Sequence, residues 1–468
     1  MPLILGIDIG TTSVSVVAID EGQPVASATV VHSAAVVGLP QGYAEQSPDR
    51  LWQGVLTAVR QVTDAVVGDD IVAIGMTGQM HSTLLLDVAG QPCSNVITWQ
   101  DKRAVVHRGD AGSVLDSLLA RIPEDAMEPT GCRLAPGYLG TTLFALQQLG
   151  QLPSEFASAT FVADWIAGRL CQQAPVTDRS HAASSGVYDL RLDTWSSPLL
   201  QAAEIDPAWL PEVRASGAVI GELSASTAEA IGLSAGTKVC NAIGDNQAAV
   251  LSALPNEGGV LLINIGTGGQ IAWRMPTFQR VDGMDTRYLP STTDTLHKRG
   301  SEFMLVGAGL CGGDAIAWIN RTVRQWLHAF GVDQTEDEVW RALSRHIEDL
   351  DNDIPPISCE PFFAGTRPDP ECRAVFTEVG LTNFTPANIA RSILYGIADT
   401  MHAVYLSASS VRPEPLDRIV MSGNASRQNP LLVKAVAERF GVSASVSGCR
   451  EEAATGAAIL ASAALKDV

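Results

Sequence analysis

The chain has 468 residues, 46% of them hydrophobic and 18% charged, and a formal net charge of −20 at pH 7. That length predicts two or three domains with large cores. The acidic balance, with no Lys/Arg-rich stretch, excludes nucleic-acid binding through a basic face. An acidic surface also repels free nucleotide, so a phosphate site here must rest on local N–H groups and a metal.

Residues 3–20 read as a strand, a Gly/Thr turn and a second strand that closes at Asp20-Glu21-Gly22. The first strand ends in Ile7-Asp8-Ile9-Gly10-Thr11-Thr12, followed by Ser13. Such a turn presents backbone N–H groups and hydroxyls at its tip, a phosphate cradle built on a hairpin rather than on a strand–helix loop. Asp8 either holds Mg²⁺ beside that cradle or caps a turn. Ser47-Pro48 begins a helix, with Ser at the N-cap and Pro in the first turn. Its apolar residues Leu51, Trp52, Val55, Leu56, Val59 and Val62 repeat at helical spacing. The strand from Ile71 to Met76 then runs into Thr77-Gly78-Gln79-Met80-His81. Alternating strands and helices predict an α/β protein, in which ligands bind at strand ends. Gln79, Met80 and His81 therefore form a candidate polyol patch. Trp99 is a pocket wall or plain core, and Asp101 is an acceptor for hydroxyls.

Residues 104–215 are less regular, with helices near 138–149 and 161–170 and a turn-rich stretch at 174–198, as expected of an insertion that shapes the substrate side. A short strand, Val239 to Ile243, ends in Gly244-Asp245-Asn246. Asp245 reads as a turn residue, either a general base in a cleft or a carboxylate bonded to its own backbone. A domain boundary fits near 246–258, because the opening pattern then restarts as Ile263-Asn264-Ile265-Gly266-Thr267-Gly268. Asn264 stands where the first copy has Asp8, so only one half offers a charged metal ligand. Phe303 to Val306 leads into Gly307-Ala308-Gly309-Leu310-Cys311-Gly312-Gly313 and a helix. The G-x-G-x-x-G spacing matches a dinucleotide site but lacks the acidic residue after a second strand. It reads as a Gly-rich turn that admits a nucleotide, or as close helix packing. Pro355-Pro356 marks a loop. Helices follow at 386–409, 429–440 and 451–465, with Gly441 capping the middle one. The strand Arg418 to Met421 precedes Ser422-Gly423-Asn424, whose small residues either admit an adenine ring or make an ordinary turn. Glu451-Glu452 suits a helix start.

Cysteines at 93, 132, 171, 240, 311, 359, 372 and 449 form no C-x-x-C pair. They suggest neither a disulfide framework nor a zinc site. The first residues carry no basic n-region, and no apolar run reaches membrane-spanning length, so a cytoplasmic protein is expected.

Taken together, these motifs resemble the FGGY family of carbohydrate kinases within the actin-like ATPase superfamily. The resemblance is carried by GIDIGTTS (6–13), GMTGQMHS (75–82), TWQDKR (98–103), GDN (244–246), NIGTGG (264–269), SGNASRQNP (422–430) and EEAATGAA (451–458). It implies two actin-like, ribonuclease-H-like ATPase domains around a cleft, residues 1–246 and 247–468, that phosphorylate a sugar or polyol hydroxyl with ATP. It implies Asp245 as catalytic base and Asp8 as the Mg²⁺-linked residue. Thr11, Thr12, Ser13, Gly266, Thr267 and Gly268 fall at the phosphates, and Gly313, Gly423, Asn424 and Gln428 at the nucleotide. Gln79, Met80, His81, Trp99, Asp101, Asp245 and Asn246 fall at the sugar.

GQMH and TWQD, with TGCRLAPGY (130–138), are most similar to the sedoheptulokinase branch. They point to a ketose phosphorylated at its terminal hydroxyl, with xylulose or another pentulose or polyol as alternatives. Ser82 and Lys102 depart from the family's common residues, and the family's first signature, around Asp164-Trp165, is only loosely matched. The expected partners are a ketose and ATP, without nucleic acid or membrane, in a monomer or homodimer. Two other classes stay open: an actin-like ATPase coupled to a protein partner, and a nicotinamide oxidoreductase resting on Gly307 to Gly312.

Overall fold

The computed structural model describes residues 2–66, 70–106, 112–254, 259–291, 303–351, 353–366, 369 and 371–466. The first sheet contains β1 (Leu3–Ile9), β2 (Ser13–Asp20), β3 (Gln23–Val31), β4 (Ile71–Gly78) and β5 (Lys238–Cys240), in the order β5-β4-β1-β2-β3. β1, β2 and β3 are antiparallel neighbours, while β4 and β5 run parallel to β1. The second sheet contains β6 (Val260–Ile265), β7 (Gly269–Met275), β8 (Phe303–Leu310), β9 (Arg418–Ser422) and β10 (Ser443–Val446), in the order β10-β9-β6-β7-β8. Its directions repeat those of the first sheet. An antiparallel strand covers one edge of each: Val219–Glu222 beside β5, and Asp285–Tyr288 beside β8. The register makes the duplication explicit. Asp8 pairs with Thr77 across β1 and β4, and Asn264 with Ser422 across β6 and β9.

Both faces of the first sheet are covered, which is why β1 is apolar almost throughout. Leu5, Ile7, Ile9, Val14 and Val16 pack with Leu51, Val55 and Val59 of helix α1 (Pro48–Thr63). On the opposite face, Ile4, Val17 and Ile19 meet Ala454, Ala458 and Ala461 of a helix from the far end of the sequence. That helix is α5 (Glu452–Lys466), and it packs beside α2 (Asp245–Ala253). Ala457 and Leu460 of α5, with Ala248, Val250 and Leu251 of α2, also meet Val260, Leu262 and Val420 of the second sheet. The two helices therefore join the sheets.

This seam is closed backbone to backbone. A Cβ on Gly6 or Gly75 would overlap the carbonyl of Ala454 or Ala457, and one on Gly456 would overlap that of Ala248. The small residues of EEAATGAA thus set the spacing between the halves. α2 itself covers the first part of the boundary expected near 246–258, and residues 255–258 lie outside the described residues.

Three local expectations change. The strand foreseen from Val239 to Ile243 is two short pieces, Lys238–Cys240 and Ile243–Gly244, and both pair with β4. Asp245 is the first residue of α2, not a turn residue. Gly307 and Gly309 lie within β8, and only Cys311-Gly312 separate it from α3 (Gly313–Ala329). Gly307 is needed because a Cβ there would strike Val404 of α4 (Pro386–Ser407), so the first glycine of the G-x-G-x-x-G spacing records helix packing on a strand. All eight cysteines are free thiols. No helix among the described residues is long and apolar enough to cross a membrane.

Replacing Gly456 by valine forces extra volume into the α2–α5 seam. Urea unfolding should show a loss of roughly 1–3 kcal/mol, the usual cost of overpacking.

Candidate active site

The two hairpin turns occupy corresponding positions on the two sheets. In the first, Gly10 N–H donates to Ser13 O at 3.0 Å, Gln46 Nε2 donates to Thr11 O at 2.6 Å, and Trp99 Nε1 donates to Thr11 Oγ1 at 3.1 Å. In the second, Gly266 N–H donates to Gly268 O at 3.0 Å. The start of α3 backs this turn: Gly313 N–H donates to Gly266 O at 2.9 Å, and Asp314 N–H to Thr267 O at 3.0 Å. Any Cβ on Gly312 would collide with Gly268. Gly423, with φ +85°, packs on the Ile265 carbonyl and leads into the short helix Asn424–Gln428. The fold thus brings Gly266, Thr267, Gly313, Gly423 and Asn424 to one place. Around Gly266 itself there is open space, with nothing within 4 Å of where a Cβ would stand.

Between the halves lie two carboxylates. Asp8, at the end of β1, has a buried Oδ1 without a protein partner. Burial, then the neighbouring charges of Asp245 and Glu451, push its carboxyl up to about 8. Asp245 accepts a 2.7 Å hydrogen bond from Asn246 N–H. Burial raises its pKa, opposed by that N–H and by His181 and Arg287. Two desolvated carboxylates near the first hairpin turn fit a divalent cation, which would favour their charged forms.

Next to Asp245 is a small pocket lined by Met80, His81, Tyr138, Ser184, Gln247 and Arg287, among others. Its walls come from the segment after β4, the insertion, α2 and the edge strand Asp285–Tyr288. His81 adopts a left-handed backbone, φ +70°, a strain that accumulates at functional sites. The His81 ring stacks on Tyr138 with centroids 4.0 Å apart and planes 7° from parallel. His81 Nδ1 lies 2.7 Å from Ser184 O. A carbonyl only accepts, so Nδ1 carries the proton, and Nε2 of the neutral ring is left as an acceptor. Burial holds the ring neutral, with its pKa pulled down to about 3. Gln79 is buried; its Nε2 donates to Gln46 Oε1 at 2.8 Å, and its own Oε1 has no protein partner. Asn246 Nδ2 donates across the cleft to Gln270 Oε1 at 3.0 Å.

One alternative falls here and one expectation changes. Trp99 is not core: it is 45% exposed and donates to Thr11 of the first hairpin. Asp101 is not a hydroxyl acceptor. It is buried and already accepts from Ala44 N, Arg103 N and Arg103 Nε at 2.9 Å and from Arg103 Nη2 at 3.0 Å. Those four donors fill a carboxylate's capacity. Arg103 also reaches Glu45 at 2.5 Å, so Asp101 and Arg103 of the TWQDKR motif form a buried ion-pair anchor.

Sequence reasoning missed a buried cluster behind Asp245. Asp178 accepts from Ser180 Oγ at 2.7 and 2.9 Å and from Ser216 Oγ at 2.5 Å. Ser180 Oγ in turn accepts from Gly244 N–H at 2.7 Å, fixing the residue before the candidate base. His181 is fully buried, with Asp164 and Asp178 each 3.5 Å from its Nδ1. Burial lowers its pKa, but these carboxylates outweigh burial and raise it to about 9. Burial raises Asp164 to about 7, partly offset by His181. The one sequence signal was several polar residues, Asp178 to His181, in a stretch taken only for turns.

Two family models cover nearly the whole chain: "FGGY family of carbohydrate kinases, N-terminal domain" over residues 3–252, and the C-terminal domain of that family over residues 262–465. The chain is 26% identical to the sedoheptulokinase of Mus musculus, over 94% of this chain and 93% of that protein. It is 29% identical to a glycerol kinase of Trichlorobacter lovleyi, over 99% and 90% respectively. Among solved structures, the xylulose kinase from Rhodospirillum rubrum superposes with a TM-score of 0.84 at 20% identity, covering 98% of this chain and 89% of that one.

Asp101→Ala leaves Arg103 buried and half-paired. Thermal unfolding should reveal a loss of about 3–5 kcal/mol, as for other broken buried ion pairs. The folded enzyme should bind its sugar with near-normal KM, since this carboxylate faces protein donors.

Proposed function

The chain belongs to the FGGY family of carbohydrate kinases, and on that premise we propose that it transfers the γ-phosphoryl group of ATP to the terminal hydroxyl of a ketose. Sedoheptulose, giving sedoheptulose 7-phosphate, is the first candidate; xylulose or another pentulose is the second. The observation that carries this proposal is the position of Asp245. It opens α2 between Asp8 of the first hairpin and the pocket of Met80, His81 and Gln247. The GQMH and TWQD motifs, together with the sedoheptulokinase relatives, support the sugar.

In this mechanism Asp245 accepts the proton of the sugar hydroxyl as its oxygen attacks. Its raised pKa improves it as a base, and the Asn246 N–H fixes the carboxylate's orientation. The backbone N–H groups and hydroxyls of Thr11, Thr12, Ser13 and Thr267 face the phosphates, with Gly266 and Gly268 letting them approach. Gly313, Gly423, Asn424 and Gln428 border the nucleoside. Asp8 would hold Mg²⁺, which when bound would supply charge neutralisation to the triphosphate. His81 Nε2 and Gln79 Oε1 accept hydrogen bonds from the sugar hydroxyls and set its register. Alignment and charge do most of the work, so few covalent roles are needed. The cytoplasm suits eight thiols outside any disulfide, which stay reduced there. A monomer or homodimer suffices, because both halves of the site lie on one chain.

A coupled ADP-release screen over ketoses and polyols of four to seven carbons tests the proposal. Sedoheptulose should give the highest kcat/KM. Asp245→Asn should retain nucleotide binding and lose at least ~100-fold in turnover. ATP turnover indifferent to every sugar would reject the kinase mechanism and leave a partner-coupled ATPase. Near-normal turnover by the Asn variant would reject Asp245 as base.

A further inference from the structure

Gln247 lies two residues beyond Asp245 and is 1% exposed. Neither its Nε2 nor its Oε1 has a protein partner, although both are buried. A buried amide left in that state is costly, so a partner from outside the protein is implied. The side chain folds over Gly244, where an added Cβ would stand 2.6 Å from Gln247 Oε1 and 3.0 Å from Met80 Sδ. It lines the same pocket as His81 and Tyr138. Facing it from the second half is Arg287, which pairs with Asp285 at 3.2 Å; both residues line the pocket.

Resting on the sugar-kinase proposal above, we infer that Gln247 and the Arg287–Asp285 pair are specificity-determining residues that read the hydroxyls of an uncharged sugar. The amide offers a donor and an acceptor at once, which suits a hydroxyl that both accepts and donates. Arg287 adds donors, but Asp285 balances its charge, and the neutral His81 ring adds none. The pocket therefore suits a polyol chain better than a sugar-acid carboxylate. Because Gln247 stands on α2 and Arg287 on the second sheet's edge, this wall is complete only when the halves are together.

The test uses the full-length enzyme with the best ketose from the screen, its singly deoxygenated analogues and the aldonate of equal carbon number. Gln247→Met, similar in length and unbranched, should lower kcat/KM for the ketose about 10–100-fold, while the KM for ATP holds. One deoxy analogue, penalised in the wild type, should lose that penalty in the variant. A packing role alone would lower all sugars equally and keep every penalty. Arg287→Met, on a different element, provides the same readout should Gln247→Met fail to fold. Unchanged discrimination in both variants, or wild-type preference for the aldonate, would overturn the inference. Wild-type inactivity on every sugar would instead overturn the kinase proposal beneath it.

Discussion

The structure depends on a seam of bare backbone. Gly6 and Gly75 in the first sheet, and Gly456 in the last helix, allow main chains to touch where any side chain would separate them. α5 presents Ala454, Ala458 and Ala461 to one sheet and Ala457 and Leu460 to the helix and sheet opposite. The C-terminal helix thereby fixes the distance between two halves that are far apart in sequence. Everything at the cleft inherits that distance: Asp8 at the end of β1, Asp245 at the start of α2, and the second hairpin at the end of β6. Tight packing of this kind is bistable rather than continuously deformable, which suits a cleft whose closure excludes water.

The duplication is asymmetric in chemistry, though not in topology. Equivalent register positions hold Asp8 in one half and Asn264 in the other. A second carboxylate at Asn264 would add repulsion to a site that already desolvates Asp8 and Asp245. The neutral amide avoids this. The first half thus holds the carboxylates Asp8 and Asp245, while the second offers neutral backbone donors and the Gly313–Gly423 floor. The pocket beside Asp245 crosses this division, with His81 and Gln247 on one side and Arg287 on the other.

Much of this was legible in the sequence because it is local. Hairpins, capped helices and motif order follow from periodicity and turn residues, and the matching motifs identified the family. What failed was long-range. Asp101 resembled a hydroxyl acceptor until its four donors, three of them on Arg103, were visible. Gly307 fitted either a turn that admits a nucleotide or close helix packing, because a glycine required by Val404 of a distant helix has the same local sequence as one required by a ligand. Tyr138, His181 and Arg287 reach the site from the insertion and the second half, and no periodicity predicts such encounters. Gln247 was adjacent to a residue already singled out, but only its burial without partners gives it meaning.

The central claim is that hairpins on two separate sheets grip one nucleotide. Gly266 offers the most direct test, because its Cβ position is empty of protein atoms. Gly266→Val should fold with stability within about 0.5 kcal/mol of the parent, as for a surface change. Calorimetric titration with a non-hydrolysable ATP analogue and Mg²⁺ should then show affinity lowered at least tenfold, about 1.4 kcal/mol. Wild-type affinity in a correctly folded Gly266→Val protein would contradict the account, because the second hairpin would then play no part in holding the phosphates.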